Sequence, residues 1–190
     1  MLEFAEHGFF GGYLIVSLLG RPEEFHCTAP VRPSPAQRIL YGPTLEPYLM
    51  GEQIAGALLD VAKLKPTLIL ANCGAALHAR PRAGVPMVWL TESIEPSSAH
   101  LSQSDNLTLS SASTVFCRRE AAPTSARHAF NVGAYEFRLP LGYASEQDGA
   151  ALLLNEFAQH VDLAEPFGRI EEAIREAQRI GGGETNEQAA

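Results

Sequence analysis

The apolar and polar positions over residues 66–93 predict a strand, a short helix and a second strand. Two short apolar runs, 68–71 and 85–90, are separated by about a dozen residues that can form one helix. Buried strands joined by a helical crossover are typical of a βαβ unit with parallel strands. The pattern therefore predicts a parallel pair of strands at the centre of a sheet.

Further strand patterns lie on both sides of this unit. Residues 12–19 are rich in β-branched and aromatic residues, and residues 25–31 alternate between apolar and polar, so together they predict an antiparallel hairpin. Residues 107–117 and 130–139 also have strand character. Gly133 interrupts the second of these segments, which indicates a bulge or a hairpin turn.

Apolar residues at helical spacing predict one helix before the βαβ unit and two at the end of the chain. The first covers residues 45–64 and stops before Pro66, because proline cannot continue a helix. The other two cover residues 145–161 and 162–180, each with one apolar stripe. We expect all three helices to pack against the sheet.

These elements predict a single α/β domain over residues 1–180, followed by a disordered tail over 181–190. Its sheet is expected to be mixed. The middle of the chain supplies the parallel strands, and the N-terminal hairpin and the 107–139 region supply antiparallel ones. The order of the strands does not follow from the pattern.

Composition and charge narrow the functional classes. The 190 residues are 46% hydrophobic and 19% charged, which is typical of a soluble globular protein. The net charge of -8 and the scattered cations argue against nucleic-acid binding. The three cysteines form no C-x-x-C pair, which favours a reducing compartment over a disulfide framework or a zinc site. The apolar run over residues 8–20 is too short to span a bilayer, so we expect a cytoplasmic protein without a membrane partner.

Polar triplets follow both strands of the predicted βαβ unit. The triplets are Asn72, Cys73 and Gly74, and Thr91, Glu92 and Ser93. Ligands of open α/β sheets bind beyond the carboxyl ends of the strands, so we expect these residues to surround one site. Asn72, Gly74, Thr91 and Ser93 are the candidate ligand-binding residues. The common phosphate-loop, dinucleotide and zinc-protease motifs are absent, and the sequence identifies no cofactor and no metal site.

Two of these residues are candidate catalytic groups. Cys73 lies at a predicted strand-to-helix turn, where a helix dipole and free N–H groups stabilise a thiolate. Backbone donors around Gly74 would hold an oxyanion or a phosphate. Glu92 would act as a general base, a cation ligand or a hydroxyl-binding group. In the alternative interpretation Cys73 is a small buried residue at a tight turn, and Glu92 is a solvated side chain beside a capping hydroxyl.

Two functions therefore stay open. The first is a protein that binds a small molecule or an anion at the carboxyl ends of the parallel strands, with a cysteine-dependent enzyme as its catalytic form. The second is a non-catalytic interaction or assembly protein, in which the terminal helices or the hairpin edge contact a partner or a second copy of the chain. In that case the polar triplets are turns.

Overall fold

The computed structural model describes residues 2–4, 8–93 and 127–183 of the chain. Its strands are β1 (Leu2–Phe4), β2 (Gly8–Phe10), β3 (Gly12–Val16), β4 (Pro22–Cys27), β5 (Ile69–Ala71), β6 (Met87–Ser93), β7 (Arg127–Val132) and β8 (Tyr135–Pro140). Its α-helices are α1 (Pro35–Tyr41), α2 (Gly56–Val61), α3 (Arg80–Ala83), α4 (Gln147–Ala158) and α5 (Glu165–Gly183). A π-helix, Pro47–Ala55, leads into α2, and 3₁₀ helices at Gly74–Ala79 and Leu141–Glu146 lead into α3 and α4. Another 3₁₀ turn covers Gly42–Thr44.

The largest sheet has four strands in the order β5-β6-β8-β7, and it is mixed. Strand β5 runs parallel to β6, with Leu70 opposite Val88, whereas β8 is antiparallel to both β6 and β7. The α/β class and the mixed sheet are therefore confirmed. The parallel pair lies at one end of this sheet and not at its centre, and a 3₁₀ turn followed by the four-residue α3 replaces the single crossover helix.

The interruption at Gly133 is the turn of a hairpin between β7 and β8. Gly133 has a φ of 57°, a left-handed conformation that glycine adopts without the steric cost of a side chain. The strands pair closely on both sides, with Phe130 opposite Phe137. The predicted strand over residues 107–117 lies outside the described residues, as does the part of the predicted tail over 184–190.

An N-terminal hairpin forms, but its strands cover residues 12–16 and 22–27 where 12–19 and 25–31 were predicted, and it does not join the mixed sheet. Strands β3 and β4 pair antiparallel, with Tyr13 opposite His26, as a separate two-stranded sheet. The physical reason is that β3 packs against helix α5. A Cβ at Gly12 would lie 2.8 Å from Ile170 Cγ2 and 2.9 Å from Ile174 Cδ1, so β3 and α5 are in close contact. Helix α5 thus packs on the hairpin, which corrects the expectation that it packs on the sheet.

Apolar side chains cover both faces of the mixed sheet. On one face Ala150 and Leu154 of α4 pack with Val88, Phe137 and Leu139, and each of these residues is at most 1% exposed. On the other face the π-helix and the crossover pack against β5 and β6 through a second cluster of small and flexible side chains. The prediction that the first C-terminal helix packs on the sheet is therefore confirmed. Every helix in the described ranges is too short or too polar to cross a membrane.

Candidate functional site

A cavity of about 870 Å³ lies beside β5, and we call it the edge cleft. Its walls come from β3, from α2 and the end of the π-helix, from residues 66–72, and from α4 and the first turns of α5. Most of the lining side chains are aliphatic or aromatic. The edge cleft is therefore a large, mainly apolar space. It separates β3 from β5, two strands that the sequence predicted to belong to one sheet.

The edge cleft runs along the strands β3 and β5 and not across their faces. All residues of both strands line it, from Gly12 to Val16 and from Ile69 to Ala71. Successive side chains of a strand point to opposite faces, so consecutive lining residues place the cavity at the strand edge. Among the described residues, β5 has a strand partner on one side only, and so does β3. Each strand thus presents an unpaired edge, with its N–H and C=O groups, to the same space.

Two of the six predicted site residues line the edge cleft. Asn72 follows β5 directly, and Thr91 lies near the end of β6, so both occupy the carboxyl ends of the parallel pair. Thr91 Oγ1 donates to the main-chain oxygen of Glu136 at 3.0 Å and lies 3.2 Å from Glu136 Oε1. These two residues therefore place one end of the cavity at the strand ends, where ligands of open α/β sheets bind.

Cys73 and Gly74 lie away from the edge cleft, inside the protein. Cys73 is 4% exposed, belongs to an apolar cluster, and its Sγ lies 3.5 Å from Met50 Sδ. A Cβ at Gly74 would lie 2.5 Å from Arg127 Nη1, so the Arg127 guanidinium covers the place expected for a substrate. This environment matches the alternative interpretation of Cys73 as a small buried residue. Its catalytic role stays a prediction.

Glu92 and Ser93 occupy the last two positions of β6, opposite Glu136 and Tyr135 of β8. The register shifts between Leu90 and Glu92, so Thr91 is the extra residue of a β-bulge. A bulge of this kind turns the strand and re-aims its side chains. The roles assigned to Glu92 and Ser93 stay predictions.

The charged residues of the edge cleft are acidic. Glu156 of α4 and Glu171 of α5 line it, and no Lys, Arg or His from the described ranges belongs to its lining. Glu171 forms an ion pair with Arg175 on the next turn of α5. Burial, together with a hydrogen bond to Asp162, raises the pKa of Tyr135. The acidic lining therefore disfavours an anionic ligand.

Glu24 connects the hairpin to the segment that enters β5. Its carboxylate accepts hydrogen bonds from the Tyr13 hydroxyl at 2.6 Å and from the backbone N–H groups of Lys63 and Leu64 at 2.9 and 2.8 Å. The bond from Tyr13, followed by those from the two N–H groups, lowers the pKa of Glu24 from 4.5 to about 2. Glu24 lies between the two predicted strands of the hairpin but belongs to β4 in the structure, and nothing in the local pattern marked this long-range role.

Comparison with known proteins finds no matching family model, no matching curated protein and no matching solved structure. Within the described ranges, no group of three His, Cys, Asp or Glu residues is arranged to hold a metal ion.

Proposed function

We propose that this protein binds a largely apolar ligand in the edge cleft. The observation that supports this proposal is the cavity of about 870 Å³ with apolar walls and a few polar groups, among them Asn72 and Thr91. Binding pockets for small molecules commonly have volumes of about 300–1,000 Å³ and combine apolar walls with a few placed polar groups.

Burial of apolar surface supplies the affinity in this proposal. Side chains such as Leu58, Ile69 and Phe157 line the cleft, and each square ångström of apolar surface removed from water contributes about 25 cal/mol. Asn72 and Thr91 would orient the ligand by hydrogen bonds at the strand ends. The acidic lining argues against the anionic ligand considered from the sequence.

The proposal is for binding, without a catalytic step. Cys73, the candidate nucleophile, is not among the lining residues, and within the part of the chain that the structure describes the lining includes no cysteine, histidine or lysine.

A neutral apolar dye, Nile red, tests this proposal through a matched pair of substitutions on α4. Leu153 lines the cleft, whereas the adjacent Leu152 is 71% exposed. We expect the dye to fluoresce on binding to the native protein, Leu153→Trp to weaken its binding at least tenfold by filling the cleft, and Leu152→Trp to leave it unchanged. Thermal unfolding would verify that both variants fold. Equal dye affinities in the two folded variants would refute the proposal.

A further inference from the structure

We infer that the ligand of the edge cleft is an extended peptide that adds one β-strand between β3 and β5. This inference rests on the proposed function, because it names the class of ligand that the cleft takes. Its first support is the pair of strand edges along the cavity, which have no strand partner among the residues that the structure describes. Unpaired edges are the templates on which an added strand forms main-chain hydrogen bonds.

The volume of the cleft matches one short strand. A strand of five residues is roughly 17 Å long, adds ~4.8 Å to the width of a sheet and is ~10 Å thick with its side chains, which gives about 800 Å³. The cavity measures about 870 Å³, and its longer wall strand, β3, has 5 residues. The volume of the cavity therefore corresponds to that of one added strand of this length.

The walls determine which side chains the added strand carries. One side of the cleft includes Ala55 and Ala76, from the cluster on one face of the mixed sheet. The other includes Leu154 and Leu163, from the cluster on the opposite face. Alternate side chains of an added strand would meet these two sides in turn. Both sides are apolar, so the peptide is a continuous apolar run and not an alternating one.

Charge complementarity determines the flanks of the peptide. Two glutamates line the cleft: Glu171 is paired with Arg175, whereas Glu156 is exposed on α4 and supplies the negative charge. The chain as a whole carries a net charge of -8. Basic residues at the ends of the apolar run would face this negative charge. The partner chemistry is therefore an extended apolar segment of about five residues, flanked by Lys or Arg.

Three synthetic peptides test this inference on the full chain. The first is acetyl-Lys-Val-Ile-Ala-Val-Val-Lys-amide. The second has the same side chains, with N-methyl groups on alternate backbone nitrogens along one edge, and the third has Glu in place of both Lys residues. Affinity is measured by displacement of Nile red and by calorimetry. We expect the first peptide to bind, and the other two to bind at least tenfold and at least threefold more weakly.

The outcomes separate the inference from the proposed function. Equal binding of the first and second peptides would overturn strand addition, because N-methylation removes N–H donors and leaves the apolar side chains in place. Equal binding of the first and third would overturn the assigned flanks. If Nile red binds and no peptide displaces it, the inference fails while the proposed function stands. If neither dye nor peptide binds, as when another segment or a second copy fills the cleft, both fail.

Discussion

An ion pair between Arg80 and Glu146 connects α3 to the 3₁₀ helix that precedes α4. Arg80 Nε donates to Glu146 Oε2 at 3.1 Å, Nη2 donates to the other carboxylate oxygen, and the guanidinium lies 4.3 Å from the centre of the Tyr143 ring. The side chains of Arg80 and Glu146 are 9% and 23% exposed. Water therefore reaches little of the arginine, and loss of the carboxylate would leave a poorly solvated charge.

We predict that Glu146→Gln lowers the free energy of unfolding by about 2–3 kcal/mol. Breaking a fully buried ion pair costs about 3–5 kcal/mol, and this value is reduced because Glu146 is partly exposed. A second arginine on the same helix provides the control. Arg82 pairs with Asp60 at 2.6 Å, but these side chains are 48% and 63% exposed. Asp60→Asn should therefore cost no more than about 0.5 kcal/mol.

Urea unfolding followed by circular dichroism at pH 7 measures both effects. A double-mutant cycle with Arg80→Met then separates the pair interaction from the effect of each residue alone. We expect Glu146→Gln to cost much less in the Arg80→Met background than in the native protein, because the arginine charge that Glu146 compensates is then absent. Equal costs for Glu146→Gln and Asp60→Asn, or strictly additive effects in the cycle, would refute the argument that burial determines the strength of this pair.

Three further predictions follow from contacts elsewhere in the protein. Because hydrogen bonds lower the pKa of Glu24 to about 2, its contribution to stability is present above pH 4.5 and is lost as the pH falls toward 2. Urea titrations should therefore show that the free energy of unfolding depends less on pH in Glu24→Gln than in the native protein. Equal pH dependence in the two proteins would contradict this. Leu154 is 1% exposed and Leu152 is 71% exposed, so Leu154→Ala should lower the free energy of unfolding by about 2–4 kcal/mol and Leu152→Ala by less than about 0.5 kcal/mol, in the same assay. Gly12→Val should speed hydrogen exchange in α5, since even the added Cβ would lie 2.8 Å from Ile170; unchanged exchange would show that α5 accommodates the side chain.

Local patterns predicted the elements of this fold better than their assembly. The hairpin of β3 and β4 and the parallel pair of β5 and β6 are each encoded by neighbouring segments and turn residues. Whether the hairpin joins the mixed sheet depends on contacts between remote parts of the chain. The contact of Gly12 with Ile170 and Ile174 joins residues more than 150 positions apart, and no local periodicity reports such a pairing.

The candidate site was predicted in part, for a similar reason. The strand-end rule identified Asn72 and Thr91, which line the cleft, because it depends only on the order of strands along the chain. The walls from β3 and α4 were missed. The apolar stripe that contains Leu153 and Phe157 has the same spacing whether it faces a filled core or a cavity, and only the three-dimensional packing distinguishes the two.

The persistence of the edge cleft requires that β3 and β5 are held apart. Two free edges at a separation of ~4.8 Å would pair with each other and close the space. Two contacts fix the hairpin instead. Helix α5 holds β3 through the tight contact at Gly12, and Glu24 binds the N–H groups of Lys63 and Leu64 before the chain enters β5. An apolar cavity remains open only where its surroundings cannot relax into it. We therefore expect Glu24 to contribute to the proposed ligand binding without touching the ligand, since its hydrogen bonds fix the position of one wall relative to the other.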